Sequence, residues 1–235
     1  MSRLAPLALA VLVLAAGCMP DVPPAESAPP RASAGAPRFL ALGDSYTIGE
    51  GVAPADRWPM RLAAALRAAG VPVTDPEIVA VTGWTVEELD VGIDAADPQG
   101  PYDLVTLLIG VNDQYRGYGI EGYRTQYRAM LARAVAFAGG DPSRVVAVSF
   151  PDWGVTPFAA DRDAARVATE VDAFNATARA IAKAAGVAWI DITPLSRTQG
   201  ALVAGDGLHP NVAAYAAWAE SIRPAAEAAL VGAGR

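Results

Sequence analysis

The chain has 235 residues, 53% hydrophobic and 18% charged, a balance that excludes an intrinsically disordered protein and suits one domain with a full core. One Cys and one His leave no material for a disulfide framework or a structural zinc site. Eighteen basic against 25 acidic residues, a formal charge of −7, exclude nucleic acid as a partner, because counterion release needs clustered Lys and Arg.

Met1, Ser2 and Arg3 precede an apolar run from Leu4 to Ala16. The run is too short to cross a bilayer core, which takes about 20 helical residues. A basic start followed by an apolar stretch of this length is the pattern of a secretory signal, here residues 1–17. The run ends Leu14-Ala15-Ala16-Gly17-Cys18, and that cysteine is the only one in the chain. The segment resembles a bacterial lipoprotein signal, with Ala15 where such signals usually carry Leu. The resemblance implies that Cys18 becomes the lipid-modified first residue of the mature protein. An ordinary cleaved signal with an incidental Cys is the alternative. Residues 18–37 then form a tether: positions 19–37 hold six prolines and almost no bulky apolar side chains, so they predict an extended, semi-rigid spacer. The expected location is the bacterial cell envelope, anchored to a membrane, or else periplasmic or secreted and soluble.

From Arg38 onward, short apolar runs alternate with longer helical patterns. The runs predict strands over Phe39–Leu42, Glu77–Val81, Leu104–Ile109, Val145–Phe150 and Val187–Ile192. The segments between and after them predict helices around Trp58–Ala69, Val86–Ile93, Tyr123–Phe137, Asp163–Ala185 and Ala213–Leu230. Thr85 with Glu88 makes a capping-box pattern for the second helix. The alternation implies βαβ units, and so a parallel sheet with helices on both faces. The strands read as continuous apolar runs, as strands buried on both faces do. No repeat of 20–50 residues is present, and residues 38–235 read as one α/β domain.

In such sheets ligands sit beyond the carboxyl ends of the strands, so the polar residues after each run carry the functional information. They are Gly43-Asp44-Ser45, Thr82-Gly83-Trp84, Gly110-Val111-Asn112-Asp113, Pro151-Asp152-Trp153-Gly154 and, beyond the fifth run, Asp206-Gly207-Leu208-His209-Pro210. A serine hydroxyl such as that of Ser45 is a weak nucleophile until a base takes its proton, and His209 is the one imidazole available. That base needs a carboxylate to fix its tautomer and stabilise its cation, and Asp206 stands three residues upstream, within reach of a single turn. Pro210 suits the first position of the helix that follows. Taken singly, each of these residues also suits a turn, a cap or a packed surface. Their joint appearance at successive strand ends is what points to nucleophilic chemistry.

The segments resemble those of the SGNH/GDSL hydrolase family. The first block is Gly43-Asp44-Ser45-Tyr46-Thr47-Ile48-Gly49, the second centres on Gly83, the third is Gly110-Val111-Asn112-Asp113, and the fifth is Asp206-Gly207-Leu208-His209-Pro210. They span most of the domain, with Tyr46 where the family's four-letter name has Leu. The resemblance implies a three-layer α/β/α, flavodoxin-like fold with a five-stranded parallel sheet. It implies Ser45 as nucleophile, His209 as base and Asp206 as its partner. It also implies an oxyanion hole made by the backbone N–H groups of Ser45 and Gly83 and the Asn112 side chain. The activity implied is hydrolysis of carboxylic esters through an acyl-enzyme, with no metal and no organic cofactor.

Gln114, Tyr115, Arg116 and Tyr118 follow the third block, and Trp153 and Phe158 follow the fourth strand. They form either a wall for a sugar or a compact acyl group, with Tyr115, Trp153 and Phe158 as its aromatic part, or the packing of the loops. The expected substrate is a small-molecule or glycan ester with a short acyl group, acetylated glycans included. Two alternatives stand beside this reading: an acyltransferase that passes the same acyl group to a sugar hydroxyl, and a non-catalytic, glycan-binding lipoprotein.

Overall fold

Five apolar runs pair into one parallel sheet. Its strands are β1 (Phe39–Gly43), β2 (Glu77–Ala80), β3 (Leu104–Leu108), β4 (Val145–Val148) and β5 (Ala188–Ile190), in the order β2-β1-β3-β4-β5. The computed structural model describes Met1 and residues 35–232. Residues 2–34, which hold most of the expected signal and tether and Cys18, lie outside the described residues. Every residue of β1, β3 and β4 is buried, as the continuous apolar runs require. Strand β1 ends one residue later than its run, at Gly43, and the other four end one or two residues earlier; in β3 and β4 burial outlasts pairing, with Ile109 and Phe150 buried beyond the last ladder partners. The fifth run departs most. Only three of its residues pair, at the sheet edge, while Val187 and Ile192 go into the core unpaired.

The crossovers are helical. They are α1 (Ser45–Ile48) and α2 (Trp58–Ala68) after β1, α3 (Val86–Ala96) after β2, α4 (Val111–Tyr115) and α5 (Ile120–Phe137) after β3, and α6 (Ala164–Ala184) after β4. Beyond β5 come α7 (Thr193–Arg197) and α8 (Val212–Gly232). The five long helices end within three residues of the expected bounds. The Thr85–Glu88 capping box forms at the start of α3, where the Thr85 hydroxyl accepts the Glu88 N–H and the Glu88 carboxylate accepts the Thr85 N–H. Pro210 does not open α8. Asn211 does, its side-chain oxygen accepting the N–H groups of Ala213 and Ala214, while Pro210 bridges to Val203. A carboxamide that satisfies two orphan donors outweighs the fixed φ of a proline.

Strand order explains the layers. The chain steps from β1 one way to β2, then back across β1 to β3, and onward to β4 and β5. With right-handed crossovers, that reversal places α2 on one face and α3, α5 and α6 on the other. Helix α8 returns to pack on α2, burying Trp58, Leu62 and Leu66 against a face that also buries Trp218 and Ile222. The reversal also opens a crevice where the loops leaving β1 and β3 diverge.

Candidate active site

Ser45 is the first residue of α1, directly beyond β1. The turn that places it leaves no space at Gly43, where a Cβ would stand 2.1 Å from Thr47 Oγ1 and 2.5 Å from the Leu108 carbonyl oxygen. Asp44 caps the one-turn helix by accepting the Tyr46 N–H at 3.0 Å. Burial pushes its carboxyl up to about 8, and the nearby Asp113 charge adds to the rise, so Asp44 is protonated at neutral pH. Ser45 is itself buried, and its Oγ has no hydrogen-bond partner among the described residues, His209 included. Such contacts tighten when substrate fills a site.

Gly83 sits in the loop after β2 with φ +89°, a left-handed conformation that favours glycine. Three side chains of one helical segment hold this loop. Asn112 Nδ2 donates to the Trp84 carbonyl at 2.9 Å, Asp113 Oδ2 accepts the Val86 N–H at 3.1 Å, and Arg116 Nη2 donates to the Gly83 carbonyl at 2.6 Å. Arg116 Nη1 also reaches Glu88, the acid of the capping box, at 3.0 Å. Burial raises the Asp113 carboxyl to about 6 against the opposing hydrogen bond from Val86. A further link joins the first two loops, the Thr82 hydroxyl donating to Glu50 Oε2 at 2.5 Å.

His209 and Asp206 meet as the spacing suggested. Asp206 Oδ2 lies 2.6 Å from His209 Nδ1, while Oδ1 accepts the N–H groups of Leu208 at 2.9 Å and His209 at 3.0 Å. Burial would raise the Asp206 carboxyl, but these hydrogen bonds from the ring and the backbone outweigh it and hold the acid below its ordinary value. An ionised carboxylate only accepts, so Nδ1 carries the donated proton and Nε2 is left as the acceptor. The Tyr46 ring packs 5.4 Å from the imidazole and 6.0 Å from the Trp218 ring, flanking the base with apolar surface.

Ser45, Gly83, Asn112 and His209 line one cleft of about 170 Å³, with Asp206 behind His209. Tyr115, Trp153 and Phe158 line it too. Their rings form a mutual cluster, with Tyr115 and Trp153 edge to face at 5.3 Å and Phe158 at 6.3 Å from both. Gln114, Arg116 and Tyr118 are not part of this wall. Gln114 turns inward, accepting the Trp153 indole N–H at 2.8 Å, and Arg116 turns to the Gly83 loop. The cleft also takes in Tyr46, Thr82, Val111 and Leu208, which lie in the strand-end segments but had no expected role in the site. Among the described residues, no group of three or more His, Cys, Asp or Glu is placed to hold a metal ion.

The chain matches the model of the GDSL-like lipase/acylhydrolase family over residues 41–217. No curated protein sequence matches it significantly. Among solved structures it is similar to TesA, with a TM-score of 0.62 at 21% identity over 80% of this chain and 97% of that one. It is similar to a mutant of Axe2, an acetyl-xylooligosaccharide esterase from Geobacillus, with a TM-score of 0.61 at 18% identity over 81% and 94%. A lipase/acylhydrolase from Enterococcus faecalis gives 0.60 at 19% identity over 81% and 95%. At these identities the likeness establishes the fold: a five-stranded parallel sheet between helices, as in the SGNH hydrolases.

Proposed function

The chain belongs to the GDSL-like lipase/acylhydrolase family of carboxylic ester hydrolases, and on that premise we propose that it removes short acyl groups from esters through an acyl-enzyme on Ser45. One observation carries the reading: Ser45, Gly83, Asn112 and His209, delivered by four separate segments at the strand ends, line a single cleft, with His209 clamped by Asp206.

His209 Nε2 takes the Ser45 hydroxyl proton as Oγ bonds to the ester carbonyl carbon. The carbonyl oxygen becomes an oxyanion facing the N–H groups of Ser45 and Gly83 and the Asn112 amide. Each such donor typically contributes about 3–4 kcal/mol. The C–O bond to the alcohol then breaks, and the imidazolium returns the proton to the departing oxygen. Water, deprotonated by the same Nε2, attacks the acyl-enzyme, releasing the carboxylic acid and restoring Ser45. Asp206 keeps Nδ1 as the donor throughout, so Nε2 always faces the reacting atoms.

The walls favour a compact acyl group, because Trp153 and Leu208 are apolar and Trp153 is held fast by Gln114. Tyr115 and Phe158 are 47% and 40% exposed and offer ring faces at the mouth where a sugar can stack. An acetylated glycan fits both features, and the resemblance to an acetyl-xylooligosaccharide esterase supports the same class. A fluorophosphonate probe tests the nucleophile: mass spectrometry is expected to find the adduct on Ser45, and an active enzyme labelled elsewhere would refute the mechanism. Product analysis with and without an acceptor sugar separates hydrolysis from acyl transfer.

We also propose that the enzyme is exported and held at a membrane through lipid on Cys18. The basic start, the apolar run to Ala16 and the proline-rich spacer support this location.

A further inference from the structure

The candidate cleft does not end in solid core at Leu208. That side chain also lines a second, smaller void of about 20 Å³, whose wall includes Val203, Ala214 and Trp218 together with the polar side chains of Asp152, Thr156, Ser196 and Gln199. The cleft and the void share three wall residues: Tyr46, Trp153 and Leu208. Two of these are fixed. Tyr46 is buried between His209 and Trp218, and Trp153 is buried and hydrogen-bonded to Gln114. Leu208 is half-buried, and its side chain makes only apolar contact. Its position is set by the backbone, through the Leu208 N–H donated to Asp206 Oδ1.

From this arrangement we propose that Leu208 determines the length of acyl group the enzyme accepts, an inference that rests on the ester-hydrolase reading above. The acyl group enters from Ser45 along the Trp153 side and stops at the Leu208 side chain. A void of about 20 Å³ has room for little more than a water-sized body, so it cannot take up further carbons of an acyl chain while Leu208 is in place. The wild-type enzyme therefore holds acetyl to butyryl groups and excludes longer ones. Shortening Leu208 joins the two spaces and opens a path toward Trp218. Because Leu208 lies between Asp206 and His209, the segment that orients the base also sizes the substrate.

The experiment compares kcat/KM for the p-nitrophenyl esters of acetate, butyrate and octanoate. The wild type is expected to lose efficiency from acetate to octanoate. In Leu208→Ala the octanoate-to-acetate ratio is expected to rise about tenfold or more, since each methylene accommodated in an apolar pocket is worth about tenfold or better. Leu208→Val should raise it less, and it carries the test if the alanine variant does not fold. Ala214 lines the void and not the cleft, so adding Ala214→Val to the Leu208→Ala enzyme refills the new space and should return the ratio toward wild type. A folded Leu208→Ala enzyme with the wild-type ratio, or a gain that Ala214→Val leaves intact, overturns the role of Leu208 alone. A wild type that hydrolyses none of the three esters overturns the ester-hydrolase reading, and this inference with it.

Discussion

Arg116 Nη2 donates to the Gly83 carbonyl at 2.6 Å, so a side chain from the segment after β3 sets the orientation of a peptide after β2. The other arm of the same guanidinium holds Glu88, which caps α3. The Gly83–Trp84 peptide is thereby tied to the helix that carries Asn112, so two of the three expected oxyanion donors, the Gly83 N–H and the Asn112 amide, sit on segments joined by one side chain. Replacing Arg116 with Ala is expected to lower kcat by about 10- to 100-fold, the range a displacement near 1 Å produces, with KM changing less. Stability should change little, because an ion pair this exposed is worth about 0–1 kcal/mol. Arg116→Lys should not restore the rate, since an ammonium lacks the fork that spans both acceptors. Steady-state kinetics with a thermal melt decide it: an unchanged kcat in Arg116→Ala would show that the loop holds itself.

Asp206→Asn is expected to reduce kcat by about 10³- to 10⁴-fold with the fold intact. Oδ1 accepts two backbone N–H groups, so the single oxygen of Asn belongs at that position and its NH2 faces His209 Nδ1. Nδ1 must then accept, which moves the ring proton to Nε2, where it blocks proton removal from Ser45. Ser45→Ala should lower kcat by roughly 10³-fold or more, and the double variant should be no worse than the poorer single one, because the residues act as a unit. Additive losses would mean that the residues do not act on one step.

Burial pushes the Asp44 carboxyl up to about 8 and the Asp113 carboxyl up to about 6, both above the ordinary 3.8. The folded protein thus retains protons that the unfolded chain has released. Their stabilising contribution is complete below the unfolded value and is lost as pH rises, through about 6 for Asp113 and about 8 for Asp44. The Tm should therefore fall from about pH 4 and level off above about pH 8. Asp44→Asn mimics the protonated acid, keeps an acceptor for the Tyr46 N–H and cannot ionise. Its Tm should fall less across that range. Parallel melting curves for the two proteins would rule out Asp44 as the source.

Cys18→Ser should shift the enzyme from the membrane fraction to the soluble one without altering its turnover of a soluble ester. A single acyl chain binds membranes only marginally, so firm attachment in the wild type requires several. Finding the wild type wholly soluble, with Cys18 unmodified, would refute the anchor and leave the hydrolase assignment untouched.

The sheet and its five long helices were legible because burial on both faces writes a strand as an unbroken apolar run, and helical burial writes a period of 3.6. The one-turn helices α1, α4 and α7 were not, because four or five residues are too few to display a period. That omission mattered at the third block. Taken simply as residues that follow a strand, Gln114, Tyr115, Arg116 and Tyr118 group with Trp153 and Phe158 as either a substrate wall or loop packing. Wound into α4, neighbouring residues turn about 100° apart. Val111, Asn112 and Tyr115 then face the cleft, Asp113 and Gln114 are buried, and Arg116 swings to Gly83. Asn112 and Arg116 stand four apart, a spacing that shares a helix face, and this was the signal available for Arg116. The Asp206–His209 contact needed no periodicity, since three residues and one turn suffice.

His209 is the sole imidazole of the chain, and it stands where proton transfer is expected. Nuclear magnetic resonance of the untagged protein therefore contains one pair of ring-nitrogen signals from a histidine, free of overlap and assigned without mutagenesis. The proton shared with Asp206 across 2.6 Å should resonate far downfield, as hydrogens in short charge-assisted contacts do. A substrate analogue, a phosphonate adduct or a change of acidity would each be read from that single spectroscopic address, giving a direct view of where the proton resides at every stage of the cycle.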